Sequence, residues 1–298
     1  MALRIIQSSD PIHVDRLNCV LYAAPGLGKT TLAFTADKPL LLDFDFGAHR
    51  ASNRKDSVRV ESWGEVAEIT RSDVADYNTV IVDTAGRALD MLTIDIIRRN
   101  SKMGRAGQLT LQGFGQLKGE FRAWLNMLNS YGKDVILIAH MSEQRSGDEL
   151  IERLDVQGGS KEEIYKSADA MGRLHIRDGR RVLNFSPTDV AFGKNPGQLE
   201  ELEVPPAHKA PNFMAKVISD IKANLNKLTD EQTAAATLQI KWRERISATK
   251  DIALFNALLP ESKATGDKVI PAMVAAEAKV RGYKYDAGAY HAPVEASA

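Results

Sequence analysis

Asn18-Cys19-Val20-Leu21-Tyr22-Ala23-Ala24-Pro25-Gly26-Leu27-Gly28-Lys29-Thr30-Thr31-Leu32-Ala33-Phe34 holds, in order, an apolar run, a Pro/Gly loop closed by a lysine, and the opening of a helix. The run Asn18 to Ala23 is short and stops at Pro25-Gly26, which reads as a buried strand. Ala23 to Thr30 then fits the phosphate-loop pattern, with Ala23 where the first glycine usually stands. A loop that wraps a polyanion with backbone N–H groups must keep side chains small beside it. Gly26 and Gly28 supply that clearance and the unusual torsions. Lys29 is then placed to reach the β- and γ-phosphates of a nucleoside triphosphate, and Thr30 to set its hydroxyl on Mg²⁺. The binding set expected from the loop is Ala24, Pro25, Gly26, Leu27, Gly28, Lys29, Thr30 and Thr31, with ATP and Mg²⁺ as cofactors. A chance Gly-rich turn ending in a surface lysine is the bland alternative, and the strand, loop and helix start together weigh against it.

Further along, Pro39 to Phe44 and Asn78 to Asp83 are apolar runs ending in acidic residues, and Asp134 to His140 is a third ending in histidine. Val58 to Trp63 suggests another strand, with a helix over Gly64 to Asp73 behind it. Between the two clearest strands, Phe114, Leu117, Phe121, Trp124, Leu125 and Leu128 recur at helical spacing. Strands apolar throughout and separated by helices predict a mostly parallel sheet covered on both faces, an α/β core. Leu174 to Ile176 and Val182 to Phe185, around Asp178-Gly179, predict a hairpin extending that sheet. Asp83, at the end of its strand, stands where a magnesium-supporting aspartate belongs beside such a loop.

After Phe185 the composition changes. Ser186 to Pro211 is rich in Pro, Gly and charge and reads as a linker. From Asn212 the periodicity turns helical. Thr229 with Gln232 suggests a capping box opening a new helix, and Asp251 to Leu259 and Val269 to Arg281 suggest two more. The residues after Tyr285 read as frayed. The division expected is a core over 1–211 and a helical extension over 212–298.

The 298 residues carry 39 basic and 39 acidic side chains, so no global field draws the chain to nucleic acid and any such binding rests on local patches. A single cysteine, Cys19, allows no intramolecular disulfide and no zinc site by itself. No apolar run is long enough to span a bilayer, and Met1 to Asp15 lacks the apolar stretch of a signal peptide. A cytoplasmic protein without a membrane partner is the expectation.

These residues resemble the RecA-like recombinase superfamily, in particular its small phage-encoded members linked to single-strand annealing and homologous pairing. The resemblance covers roughly 18–194 in element order. Leu42-Asp43-Phe44-Asp45 stands where the family has a strand ending in the acid that positions the attacking water, and Ile138-Ala139-His140 is similar to the strand whose polar end senses the γ-phosphate. Gly158-Gly159, Ser160 to Ala170 and Arg173-Leu174-His175-Ile176 resemble the glycine pair, helix and strand after the second DNA-binding loop. The resemblance implies catalytic roles for Lys29, Asp45, Asp83, His140 and Lys194, the last by reaching a neighbouring subunit's γ-phosphate. Thr30 and Asp83 are implied as metal residues. Many relatives have Glu at the Asp45 position, and the archetypal recombinase has Gln at that of His140. Read from the residues alone, Asp45 is also a solvated strand end, His140 a neutral residue of the core margin, and Lys194 a surface lysine with Arg180 and Arg181 as competitors.

The segment Ile96 to Gly119 contains Arg98, Arg99, Lys102, Arg105 and Lys118, four glycines at Gly104, Gly107, Gly113 and Gly115 before Gly119, and no acidic residue. It is expected to track a phosphate backbone, with Phe114 offering a stacking face; a solvated helix end reads the same way. In Met141 to Gly159 the acids outnumber the bases, and Arg145 is the contact retained. Trp242, flanked by Lys241, Arg243 and Arg245, reads as a buried packing residue. The function implied is a DNA-dependent ATPase of the recombinase type, self-associating as a ring or filament on single-stranded DNA and working with a single-strand-binding protein. A nucleotide-gated accessory module such as a helicase loader, with little turnover, is the alternative, and a small-molecule P-loop kinase a remoter one.

Overall fold

The structure is a computed structural model and describes residues 12–146, 149–156 and 160–292. The chain opens with β1 (Asn18–Ala23), α1 (Lys29–Ala33) and β2 (Pro39–Asp43). Next come β3 (Ser57–Arg59), α2 (Gly64–Ala67), β4 (Thr79–Asp83) and α3 (Ala85–Arg99). A small hairpin, β5 (Gly104–Arg105) with β6 (Gln108–Leu109), leads to α4 (Leu111–Ser130). Then follow β7 (Asp134–Ser146), β8 (Glu149–Leu154), α5 (Ser160–Ser167), β9 (Ala170–Arg177), β10 (Arg180–Asn184) and β11 (Leu202–Glu203).

The main sheet runs in the order β11-β10-β9-β1-β7-β4-β2-β3, with β8 paired to β7. From β9 to β3 every pairing is parallel, while β9–β10, β10–β11 and β7–β8 are antiparallel. This is the α/β architecture expected. Alternation along each strand explains the two layers. Val20, Tyr22, Val80, Val82, Val135 and Leu137 enter one core, with Leu92 and Ile96 of α3 and Phe121 and Trp124 of α4. Cys19, Leu21, Ile81, Ile136 and Ile138 enter the other, with Leu32 of α1 and Met214, Val217 and Ile221. Successive side chains of a strand point to opposite faces, so a strand apolar at every position needs helices on both. Each fully buried aliphatic side chain contributes about 1.5–3 kcal/mol relative to exposure. In the first core the Trp63 and Trp124 rings lie 5.2 Å apart, and Trp124 Nε1 donates to the Val66 carbonyl at 2.8 Å.

The chain divides into two compact units, one over 14–225 and one from Asn226 onward, with the boundary inside α6 (Phe213–Ala248). The second unit also contains α7 (Ile252–Ala264), α8 (Val269–Val280) and the hairpin β12 (Lys284–Asp286) with β13 (Ala289–His291). Its core gathers Trp242, Phe255, Leu258, Ile270, Val274 and Tyr290. Trp242 is buried, with the Arg245 guanidinium 5.0 Å from its ring centre.

The structure corrects several local expectations. The third strand is confined to Ser57–Arg59, and the helix after it to Gly64–Ala67, because Asp73 accepts from the Thr70 N–H at 2.8 Å and closes a turn. No break occurs at Thr229: α6 runs on through a stretch without glycine or proline. The segment after Tyr285 is not frayed as far as it is described. Ala287 and Gly288, with φ of 47° and 90°, turn the chain so that Tyr290 packs 5.8 Å from the Phe255 ring. Met141 to Ser146 is not loop but the continuation of β7, paired with β8 from Met141↔Leu154 to Ser146↔Glu149. Buried Leu154 and half-buried Met141 anchor that ribbon to the core.

Among the described residues no helix is long and apolar enough to cross a membrane.

Candidate functional site

Parallel strands that all point one way deliver their loops to one edge of the sheet. The register pairs Ala23 with His140, Asp43 with Asp83, and Asp83 with Ile138. The ends of β1, β7, β4 and β2 therefore meet along a single margin. There the loop Ala24 to Gly28 leaves β1 and turns into α1, with Gly26 and Gly28 both at φ 80°. That left-handed conformation suits glycine, so the pattern read from sequence has its backbone reason here.

Lys29 is buried, and among the described residues its ammonium makes no ion pair. Nζ donates to the carbonyls of Ala23 and Ala24, each at 3.1 Å, and lies 3.5 Å from His140 Nδ1. Burial lowers its pKa, while nearby Asp83 and Asp45 act in the opposite sense. Thr30 Oγ1 donates to Asp83 Oδ2 at 2.6 Å. Burial pushes the Asp83 carboxyl upward, with Asp43 and Asp45 adding to the effect against the Thr30 hydrogen bond and Lys29. The Asp83–Thr84 peptide is cis. His140 is half-buried; desolvation and then the Lys29 charge hold its pKa below the ordinary value, so the ring is neutral near pH 7.

Asp43 and Asp45 separate in role. The two oxygens of Asp43 accept from the N–H groups of Gly47 and Ala48, each at 2.9 Å, capping the turn after β2. Asp45 faces the cleft, with Oδ2 3.3 Å from Arg50 Nη2 and Oδ1 3.6 Å from Arg87 Nε. The cleft so formed, about 440 Å³, is lined by Pro25, Gly26, Gly28, Lys29, Thr30, Thr31, Asp45, Asp83 and His140, together with Gly47, Arg50 and Ala51. Its size is that of a small-molecule site.

A hydroxyl and a carboxylate side by side are hard oxygen donors of the kind Mg²⁺ takes. Among the described residues no group of three or more His, Cys, Asp or Glu forms a metal cage. A magnesium ion that shares its ligands with phosphates and water needs only one or two protein oxygens, so Thr30 and Asp83 fit that role.

Other expected residues lie elsewhere. Lys194 Nζ donates to the Tyr165 carbonyl at 2.5 Å and to that of Ala168 at 2.7 Å, at the end of α5, and does not line the cleft. Of its two competitors, Arg180 pairs with Glu203 at 3.0 Å. Arg181 instead leans on the phosphate loop, with Nη1 3.5 Å from the Leu27 carbonyl oxygen and Nη2 bound to the Pro205 carbonyl at 3.1 Å. Gly158 and Gly159 lie outside the described residues.

The basic segment resolves into structured pieces. Arg98 and Arg99 sit on the last turn of α3 and pair with Asp95 at 2.8 and 2.7 Å, and Arg99 also meets Glu120 at 2.6 Å. Those acids flank the segment in sequence, which is why counting within it missed them. Lys102 and Arg105 are exposed, and among the described residues their side chains have no ionic partner. Arg105 stands beside the turn Ala106-Gly107, whose φ values of 50° and 79° fold β5 onto β6. Phe114 packs against the core rather than standing free. Arg145 is exposed on the β7–β8 ribbon, while Arg153 stacks 4.4 Å from the Phe192 ring centre and Glu152 pairs with Arg173.

Arg50, which lines the cleft, and Arg87, which lines the adjoining pocket with Asp45 and His140, are charged residues that sequence reading missed. Neither belongs to a motif, and only the fold of the turn after β2 and the start of α3 brings them to Asp45.

Residues 15–196 match the family model described as "AAA domain". A solved structure described as "Crystal structure of the RadB recombinase" is similar over 56% of this chain and 79% of that chain, at 14% identity and a TM-score of 0.33. No curated protein matches.

Proposed function

The chain belongs to the AAA domain family, and on that footing we propose that it is a Mg²⁺-dependent ATPase of the RecA-like recombinase type, acting on single-stranded DNA to promote annealing or pairing. The observation that carries the ATPase part is the convergence of Lys29, Thr30, Asp45, Asp83 and His140 on one cleft at the carboxyl margin of the sheet. In this reading the loop amides and Lys29 hold the phosphates. Thr30 and Asp83 hold the magnesium, which when bound neutralises phosphate charge. Asp45 accepts a proton-bearing contact from the attacking water, and neutral His140 reports the terminal phosphate through Nδ1 beside Lys29. Self-association as a ring or filament, and cooperation with a single-strand-binding protein, belong to the same proposal.

Phosphate release measured with and without single-stranded DNA tests it. Stimulation by DNA is the expected outcome. Tight ATP binding with negligible, DNA-independent turnover would instead support a nucleotide-gated accessory module. One observation favours that second reading: Asp45 is held by two arginines, and the Thr30 hydroxyl by Asp83, which is a resting arrangement.

For DNA, support comes from exposed cations with no ionic partner among the described residues. Lys102 and Arg105 near the β5–β6 turn, and Arg145 on the ribbon, are therefore the proposed contacts, with Arg98 and Arg99 secondary because Asp95 and Glu120 already engage them. Lys102→Ala and Arg105→Ala are each expected to weaken oligonucleotide binding uniformly across sequences and to lower the salt slope by about one. Arg98→Ala is expected to do less. Fluorescence anisotropy over a salt series checks this, and equal losses for Arg98 and Arg105 would remove the distinction.

A further inference from the structure

Arg50 lines the candidate phosphate cleft but belongs to no motif, and its surroundings are built around it. Asp43 clamps the turn after β2 through the Gly47 and Ala48 amides, so the short helical turn carrying Arg50 is held at the cleft wall. Gly47 makes room for the guanidinium: a Cβ there would stand 2.3 Å from Arg50 Nη2. The backbone of Gly47, at φ −103°, would accept any residue, so clearance is the local demand on this position. Nη2 meets Oδ2 of Asp45 at 3.3 Å, with the Arg50 side chain 64% exposed. An ion pair so open to water is weak and readily exchanged. Asp45 is also gripped from its other side, where Arg87 Nε lies 3.6 Å from Oδ1.

We propose that Arg50 reads the terminal phosphate in cis: its guanidinium leaves Asp45 for the γ-phosphate of a bound triphosphate, and this exchange releases one oxygen of Asp45 into the cleft. The chemistry favours the exchange. A guanidinium fork matches a phosphate better than it matches one oxygen of an exposed carboxylate, and the phosphate carries more charge. Arg87 keeps its hold on Oδ1, so Asp45 is freed at Oδ2 without losing its orientation. A diphosphate leaves the terminal position empty, and Arg50 then stays on Asp45. The device therefore distinguishes triphosphate from diphosphate and couples that distinction to the acid assigned to water. It rests on the phosphate-loop reading of the same cleft.

The test is equilibrium binding of fluorescent ADP and of a fluorescent non-hydrolysable ATP analogue, both with Mg²⁺, to the wild-type chain and to Arg50→Ala, Arg50→Lys and Gly47→Ala. Arg50→Ala is expected to lose about 10- to 100-fold in triphosphate affinity, the range for a hydrogen bond to a charged group, while ADP affinity stays within about twofold. Arg50→Lys, a point charge without the fork, recovers part of the loss. Gly47→Ala keeps the charge but places a methyl group where the guanidinium rests on Asp45, so it disfavours the resting pair and is expected to shift the ratio the opposite way, toward the triphosphate. An unchanged triphosphate-to-diphosphate ratio in Arg50→Ala overturns the proposal, as does a parallel loss of both ligands. Should Arg50→Ala fail to fold, an unchanged ratio in Gly47→Ala overturns it. Failure of the wild-type chain to bind either ligand would overturn the phosphate-loop reading itself, and the inference with it.

Discussion

Lys29→Ala is expected to abolish nucleotide binding and hydrolysis while the protein stays folded. The lysine is 6% exposed, and among the described residues Nζ meets two carbonyls and an imidazole. Burial disfavours the charged form and lowers its pKa, against the opposing pull of nearby Asp83 and Asp45. A triphosphate supplies the missing counter-charge, so truncation removes the strongest charge-assisted contact in the cleft; a loss of about 10²-fold or more in turnover is the expected scale. The effect on stability has the opposite sign. The folded pKa lies below the ordinary 10.5, so between the two values the unfolded chain holds a proton the folded chain has shed, and stability rises with pH across that interval. The penalty is fully present on the acid side of the lowered value. Thermal melts of apo Lys29→Ala near pH 7 should therefore match or exceed wild type. Undiminished phosphate release in this variant would remove the assignment of the loop.

The second large effect is expected at Asp83. Asp83→Asn should cost about 10- to 100-fold in magnesium affinity, and turnover with it, yet stabilise the ligand-free protein. Asp83 is 5% exposed and lies near Asp43 and Asp45, and burial raises its carboxyl above the ordinary 3.8. Between 3.8 and the raised value the folded chain holds a proton the unfolded chain has released, so stability falls as pH rises through that window and the deficit persists above it. An amide removes the charge while leaving an oxygen to accept from Thr30. The melting temperature of apo Asp83→Asn should exceed wild type at pH 7 and converge with it below 3.8, where the wild-type Asp83 is protonated in both the folded and the unfolded chain. Wild-type Mg²⁺-dependent turnover in this variant would break the metal assignment. A stability–function conflict of this kind is characteristic of charges placed for a ligand that the bare protein lacks.

The phosphate loop, the strand ending at Asp83 and the strand ending at His140 were legible because each is a local pattern: apolar run, then a polar residue at its end. Their convergence on one margin followed from parallel pairing alone. What escaped the sequence was set by contacts that no motif marks, some local and some distant in the chain. Arg50 reaches Asp45 within the turn after β2, and Arg87 reaches it only where that turn meets the start of α3. Arg98 and Arg99 look free in a basic segment until Asp95 and Glu120 come into reach from just outside it. Lys194 looks like a surface cation until the end of α5 offers it two carbonyls. The extension of β7 past His140 was missed because its charged sequence hides a pairing anchored by Met141 and Leu154. Gly158-Gly159, on which part of the resemblance rests, lies outside the described residues.

The placement of the three indoles has a practical consequence. Trp63 and Trp124 lie together in the core of the first unit, whereas Trp242 lies alone in that of the second. Intrinsic emission thus divides into a coupled pair that reports denaturation of the sheet and a single fluorophore that reports the helical part. Replacing Trp242, or the Trp63–Trp124 pair, by Phe leaves emission that reports one unit at a time, without attaching a dye.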